Sequence, residues 1–193
     1  MSVTILGISG STRSGSLNRK TLQIVLEGVR SLGAEAHTME LRTLDLPIYD
    51  GDFEDEHGVP EKARHLADRV READAVVIAS PEYNGGYSAV LKNAIDWTSR
   101  PDTRDDGTRT TSPWTGKVTG LLSASPGAIG GLRGLILLRT TLAHMGSFVI
   151  PQQLGVPEAH AAIGEDGQFV DPGLQRRALE VAEALVHAAG RLG

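Results

Sequence analysis

Five short runs of β-branched and aliphatic residues recur along this chain, and between them lie stretches with the spacing of amphipathic helices. The runs "VTILGIS" (3–9), "AEAHTMEL" (34–41), "AVVIAS" (75–80), "VTGLLSA" (118–124) and "SFVI" (147–150) read as strands. Leu22, Val25, Leu26 and Val29 follow the i, i+3, i+4, i+7 rule, with Gly33 placed to end that helix. Ala63, Leu66, Ala67 and Val70 repeat the pattern behind Pro60, and Leu91, Ala94 and Ile95 mark a third helix. Residues 132–145 predict a fourth that is apolar almost all round, and therefore covered on both sides. "DPG" (171–173) offers an N-cap aspartate and a first-turn proline for a last helix running to about Ala189.

Such alternation leaves few solutions. Parallel strands need long crossovers, and crossovers made of helix cover both faces of the sheet. Their right-handedness restricts the order in which strands can be laid down. Five strands of this kind fit the α/β doubly wound order 2-1-3-4-5, in one domain spanning residues 1–193. In that order the ligand binds beyond the carboxyl ends of strands 1, 3 and 4.

Composition narrows the function classes. The formal net charge is −5, with both signs mixed along the chain, so the basic face expected of a nucleic-acid binder is missing. No stretch approaches the roughly 20 apolar residues of a membrane span. No charged-then-apolar leader precedes the first strand, so a cytoplasmic location is expected. There is no cysteine, which removes disulfides, thiolate clusters and a thiol nucleophile, and leaves redox chemistry to a borrowed cofactor.

The chain becomes unusual at the three strand ends where a ligand is expected. After the first comes "GSTRSGSLNRK" (10–20), where helix-start N–H groups and the helix dipole favour an anion. Ser11, Thr12, Ser16 and Asn18 add neutral donors, and Arg13 a charge-assisted one. Gly10 and Gly15 have the P-loop spacing, but Ser16 and Leu17 stand where that motif needs Lys and Ser/Thr, so triphosphate chemistry is not expected. A monophosphate remains; a polar turn capping the first helix would read the same way. After the third strand comes "SPEYNGGYSAVLKNAIDW" (80–97), whose Gly85 and Gly86 allow close approach to a flat ligand. It also carries Tyr83 and Tyr87, two of only eight aromatic residues in the chain, at the ligand end of the sheet. After the fourth comes "SASPGAIGGLRG" (123–134), a loop whose backbone can lie against a ligand. Each loop alone has an ordinary structural explanation; three at the expected ends point to one pocket.

Other features carry less. Six histidines show no metal-ligand spacing, so no metal site is expected. "GISGS" (7–11) lacks the final glycine of a nucleophile elbow. "YDGDFEDEH" (49–57) reads as a solvated loop, Asp96 and Trp97 as packing or subunit-contact residues, and 100–116 as a long polar inserted loop.

Taken together, "GSTRSGSLNRK", "PEYNGGYSAVLKNAIDW" and "SPGAIGG" resemble the NAD(P)H-dependent FMN reductase family, whose members include quinone, chromate and azo-dye reductases. The likeness runs from about residue 3 to residue 187, and "LPIYDGD" (46–52) and "EDGQFVDPGL" (165–174) look like the family's linking segments. It implies a flavodoxin-like three-layer sandwich with FMN as cofactor and NAD(P)H as co-substrate. Ser11, Arg13, Ser16, Leu17 and Asn18 would hold the phosphate. Pro81, Glu82, Tyr83, Asn84 and Gly85 would line the isoalloxazine ring, and Ser125 and Gly127 would border its pyrimidine side. Two departures stand out: the 100–116 connection is longer than is common in the family, and "GGYSAV" replaces a loop that more often carries a proline.

The function implied is ping-pong hydride transfer to a small electron acceptor (a quinone, a flavin, an azo compound or a metal oxyanion), with no side-chain acid or base required. Glu82 is the one carboxylate placed to try such a role, and a structural or flavin-positioning part suits it better. A homodimer or homotetramer is expected, since the fourth helix and Trp97 suggest burial against another subunit. A flavodoxin-like electron carrier and a non-catalytic FMN-binding sensor are the rival readings.

Overall fold

The computed structural model describes residues 2–103 and 107–192. Its centre is a parallel sheet of β1 (Thr4–Ser9), β2 (Glu35–Glu40), β3 (Ala75–Ala79), β8 (Val118–Ala124) and β9 (Phe148–Val156), in the order β2-β1-β3-β8-β9. That is the doubly wound 2-1-3-4-5 arrangement, and the fold is flavodoxin-like. Between the main strands lie α1 (Leu17–Ser31), α2 (Gly51–His57), α3 (Glu61–Glu72), α4 (Ala89–Thr98) and α5 (Leu132–His144). The chain ends in α6 (Ala159–Ala162) and α7 (Pro172–Leu192). Two small hairpins, β4 (Glu82–Tyr83) with β5 (Gly86–Tyr87) and β6 (Asp102–Thr103) with β7 (Arg109–Thr110), stand apart from the sheet.

Strand alternation sorts the core into two layers. Ile5, Val77 and Leu122 pack with Leu22, Val25 and Leu26 of α1 and Val181 and Leu185 of α7. Leu6, Ile8, Val76, Ile78 and Leu121 face the other way, onto Leu66 and Val70 of α3, Leu91 and Ile95 of α4, and Leu135 and Leu138 of α5. Gly7 lets α1 approach β1, since a Cβ there would stand 2.7 Å from Leu26 Cδ1. Capping follows the sequence: Gly33 takes φ +83° just past α1, and Asp171 Oδ1 accepts from Gly173 N at 2.8 Å at the start of α7.

The structure corrects several expectations. The last strand does not stop at 150 but runs through Pro151 to Val156. It lies at the sheet edge, and its pairing with β8 slips between Thr119 and Leu121, so the missing proline N–H is accommodated outside the regular ladder. Residues 49–57 are not a loop: Asp50 Oδ1 accepts from Asp52 N and Phe53 N and starts α2. Of the two readings of Trp97 the packing one holds: it is fully buried within the chain, edge-on to Tyr49 and Phe53, with Nε1 donating to Pro47 O at 2.8 Å. Within the single chain helix α5 buries one side, through Leu135, Leu138 and Leu142, while Leu132, Ile136 and Leu137 are exposed. The 100–116 segment is more than a polar loop. It forms the β6–β7 hairpin, pairs Arg64 with Asp102 at 2.9 Å, and buries Trp114, although its residues 104–106 lie outside the described residues.

Candidate functional site

The carboxyl ends of β1, β3 and β8 feed three loops that are tied to one another. Gly10 N donates to Ala79 O at 2.9 Å, and Ser88 Oγ donates to Gly10 O at 2.6 Å while Ser88 N donates to Ser80 Oγ at 3.1 Å. A Cβ at Gly10 would press on Ala79 O and Ser88 Oγ, each at 3.3 Å, so a larger residue would need these atoms to give by a few tenths of an ångström. Asn18 makes the second tie. Its Nδ2 donates to Ala124 O and its Oδ1 accepts from Ala124 N, both at 2.8 Å, so the buried amide prolongs β8 as a strand partner would.

Residues 10–18 keep donors free for a ligand. Ser16 caps α1, its Oγ accepting from Arg19 N at 3.1 Å. The N–H groups of Leu17 and Asn18 have no partner among the described residues, as expected of a helix's first turn. Two arginines there differ in state. Arg19 is bound to Glu40 at 2.9 Å and to Ser14 O, whereas the Arg13 guanidinium has no partner among the described residues.

The wall across from them is fully engaged. Asn84 and Gly85 take φ of 51° and 83° and form the two-residue turn between β4 and β5, a conformation Asn-Gly adopts at little cost. This turn aims the Glu82 carboxylate, 6% exposed, at the start of α5. Gly131, the N-cap of that helix, has no side chain to accept a bond. Glu82 supplies the acceptor instead: Oε2 takes Gly134 N at 3.0 Å and Oε1 takes Arg133 Nε at 2.8 Å. Burial alone would raise its pKa, but the Gly134 N–H and the Arg133 guanidinium outweigh burial and hold it below the ordinary carboxylate value. The third loop is fixed by contact. Gly130, at φ +61°, lies so close to the backbone of Gly155, Val156 and Pro157 that a Cβ would come within 2.8 Å of all three.

These loops enclose a cavity of about 400 Å³. Of the residues expected from sequence, Ser11, Arg13, Ser16, Leu17 and Asn18 line it from the first loop, Pro81, Glu82 and Tyr83 from the second, and Ser125 from the third. Asn84 and Gly85 stay in the hairpin turn, and Gly127 lies behind Ser125, its N–H donating to Ser125 Oγ at 3.2 Å. Asn18, its side chain committed to Ala124, offers the cavity its backbone N–H. Ala124, Pro126 and His160 line the cavity without having been singled out, and Gly15, noted only for its spacing from Gly10, joins them. His160 comes from α6, beyond the strand whose continuation the sequence conceals. A smaller cavity of about 160 Å³ between Leu41, Leu46 and Asn93 takes Thr12, so this one of the four neutral donors read from the first loop lines a different cavity.

The chemistry of the larger cavity suits a phosphorylated, partly flat ligand. Its size falls in the roughly 300–1,000 Å³ range of small-molecule sites. Its first loop offers a free guanidinium, hydroxyls and unpartnered helix N–H groups, and its second offers Pro81 and Tyr83, a residue 58% exposed. FMN has this division, so the residues present fit it.

Comparison with known proteins gives the same direction. The model of the NADPH-dependent FMN reductase family matches residues 3–161. An NAD(P)H-dependent FMN reductase of Pseudomonas aeruginosa is 34% identical over 173 residues, covering 88% of this chain and 85% of its own. A quinone reductase of Escherichia coli is 33% identical over 172 residues, covering 88% and 86%. The solved structure of a flavoenzyme NAD(P)H:(acceptor) oxidoreductase from Paracoccus denitrificans superposes with a TM-score of 0.81 at 28% identity, covering 99% of both chains.

Proposed function

The chain belongs to the NADPH-dependent FMN reductase family, and we propose that the 400 Å³ cavity holds FMN with its phosphate on residues 10–18. The observation that carries this reading is the contrast in hydrogen bonding around the cavity. On its wall Glu82, Ser125 Oγ and the Asn18 amide are paired within the protein, while Arg13 and the first two N–H groups of α1 are left for an anion. When bound, FMN supplies the relay between NAD(P)H, which gives a hydride, and a second substrate, which takes the electrons.

The residues of the chain then bind and orient. Arg13 pairs with the phosphate, joined by the hydroxyls of Ser11 and Ser16 and the N–H groups of Leu17 and Asn18. Pro81 and Tyr83 bound the ring, with Asn84 and Gly85 setting their position from the turn. Ser125 would lie at the pyrimidine side with Gly127 behind it; since Ser125 N is spent on Val156 O and Gly127 N on Ser125 Oγ, any backbone N–H stabilising negative charge at that edge would come from the 82–85 stretch. Glu82 takes no part as acid or base; its carboxylate is occupied by Gly134 and Arg133. If NAD(P)H and the acceptor approach the same side, beside the exposed Tyr83, they must bind in turn, and ping-pong kinetics result. The acceptor is a small molecule of the quinone, flavin, azo or metal-oxyanion kind. The exposed Leu132, Ile136 and Leu137 support a homodimer or homotetramer.

The test is a visible spectrum of the purified protein with added FMN, followed by anaerobic NADPH. Flavin bands that bind and bleach support the reductase reading; bands that persist would identify a carrier or sensor; absence of binding would overturn the assignment.

A further inference from the structure

His160 is the cavity residue that no motif brought in, and its surroundings tie it through the backbone to the start of α1. Helix α6 is pinned to the cavity wall: Ala159 is fully buried, and its N–H donates to Ser125 O at 3.1 Å. At its far end Val170 N donates to Ala162 O at 3.0 Å. The strip that α6 grips, Ala124–Ser125, is the strip held from the other side by the Asn18 amide in the first turn of α1. So one short piece of backbone links His160 to the N-terminus of α1, where donors are left free. The imidazole lines the cavity and has no hydrogen bond or ion pair among the described residues, the same condition as Arg13.

We propose that His160 is a second side-chain contact for the phosphate, reaching it from the β8–β9 side while Arg13 reaches it from the first loop. The two make the cavity select phosphorylated over unphosphorylated flavin. This rests on the FMN reading above and adds a residue and a specificity to it. The chemistry is a ring N–H donating to a phosphate oxygen, and no bond is made or broken.

The experiment is a pair of binding titrations, FMN and riboflavin, followed by quenching of flavin fluorescence. They are run on the wild-type chain and on His160→Ala, His160→Gln and His160→Arg. The expected result is a loss of about tenfold in FMN affinity for His160→Ala, the scale of one charge-assisted hydrogen bond. Riboflavin affinity should stay unchanged, and His160→Arg should recover FMN affinity more fully than His160→Gln. The thermal midpoint of the FMN-free protein should not move, which separates a ligand contact from support of the wall. Equal losses for FMN and riboflavin would overturn the proposal, because they would place the imidazole against the ring or ribityl chain. Equal FMN affinity in wild type and His160→Ala would overturn it alone, whereas a wild-type chain that binds no FMN would overturn the underlying reading as well.

Discussion

Arg13, in the loop after β1, and Arg133, in the first turn of α5, both stand at the carboxyl end of the sheet, and the molecule uses them in opposite ways. Arg133 is bonded to a buried carboxylate, and with Gly134 it fixes where the β4–β5 hairpin meets α5. Arg13 has no protein partner among the described residues, and its neighbours in the first turn of α1 are equally free. One wall has its shape decided before a ligand arrives, which lowers the ordering cost of binding. The other keeps polar groups unmatched, which is tolerable because they face solvent until an anion replaces it. The comparison predicts that damage to the first wall appears in stability and damage to the second in affinity.

The largest effect is expected at Gly130. Gly130→Ala puts a methyl against the backbone of three consecutive residues, Gly155, Val156 and Pro157, and also opposes a φ of +61°. Backbone cannot step aside as a flexible side chain can, so the loss should be about 3 kcal/mol or more, read from urea unfolding midpoints. A loss below about 1 kcal/mol would mean the wall yields, and the rigid half of the comparison would fail.

Arg13→Ala is the converse. It removes a charged partner without leaving any protein group unpaired, so FMN affinity should fall about 10- to 100-fold while the melting of the FMN-free protein stays where it was. Turnover of the FMN-loaded protein should fall less than affinity. The opposite pattern, slow turnover with intact binding, would remove Arg13 from the phosphate.

How much of this contrast could be read from sequence depends on how local each feature is. The sheet order and the first loop were legible, because a period of two or 3.6 and the donors of a helix start are written in neighbouring residues. Some local signals were present and under-read. Asn84-Gly85 is a strong hairpin signal, and Asp50 ahead of Asp52 and Phe53 is a helix start where the acidic run suggested a loop. The continuation of β9 was hidden by Pro151 and two glutamines, and with it the position of His160. The Glu82–Arg133 pair could not be read at all, since 51 residues separate the partners and only the fold brings them together. The free half of the site was therefore visible from sequence, and the committed half was not.

Glu82→Gln tests that committed half in milder form. The amide can still accept from Gly134 N, and Arg133 is largely exposed, so the cost at pH 7 should be only about 1–2 kcal/mol. The pH dependence is more telling. A carboxyl whose pKa is lower folded than unfolded adds stability above its unfolded pKa and loses it as pH falls through the folded value. Wild-type stability should therefore drop as the solution is acidified through and below the ordinary carboxylate range, and Glu82→Gln should flatten that part of the curve. An unchanged acid profile would show that Arg133 and Gly134 do not hold the carboxylate as the geometry indicates.

Ser16 carries the smallest effect and belongs to both halves. Its Oγ accepts from Arg19 N as the cap of α1, yet its hydroxyl hydrogen is free to donate into the cavity it lines. Ser16→Ala removes both functions and should cost about 1 kcal/mol of stability, while Ser16→Gly, tolerated at an N-cap, should cost only about a few tenths. Both remove the same hydroxyl, so both should weaken FMN binding by the same factor, about threefold to fivefold. Matched affinities with unmatched stabilities would separate the ligand contact from the cap. Affinity that instead tracks stability, with alanine worse than glycine, would mean that Ser16 acts on the phosphate only by holding the first turn of α1 in place.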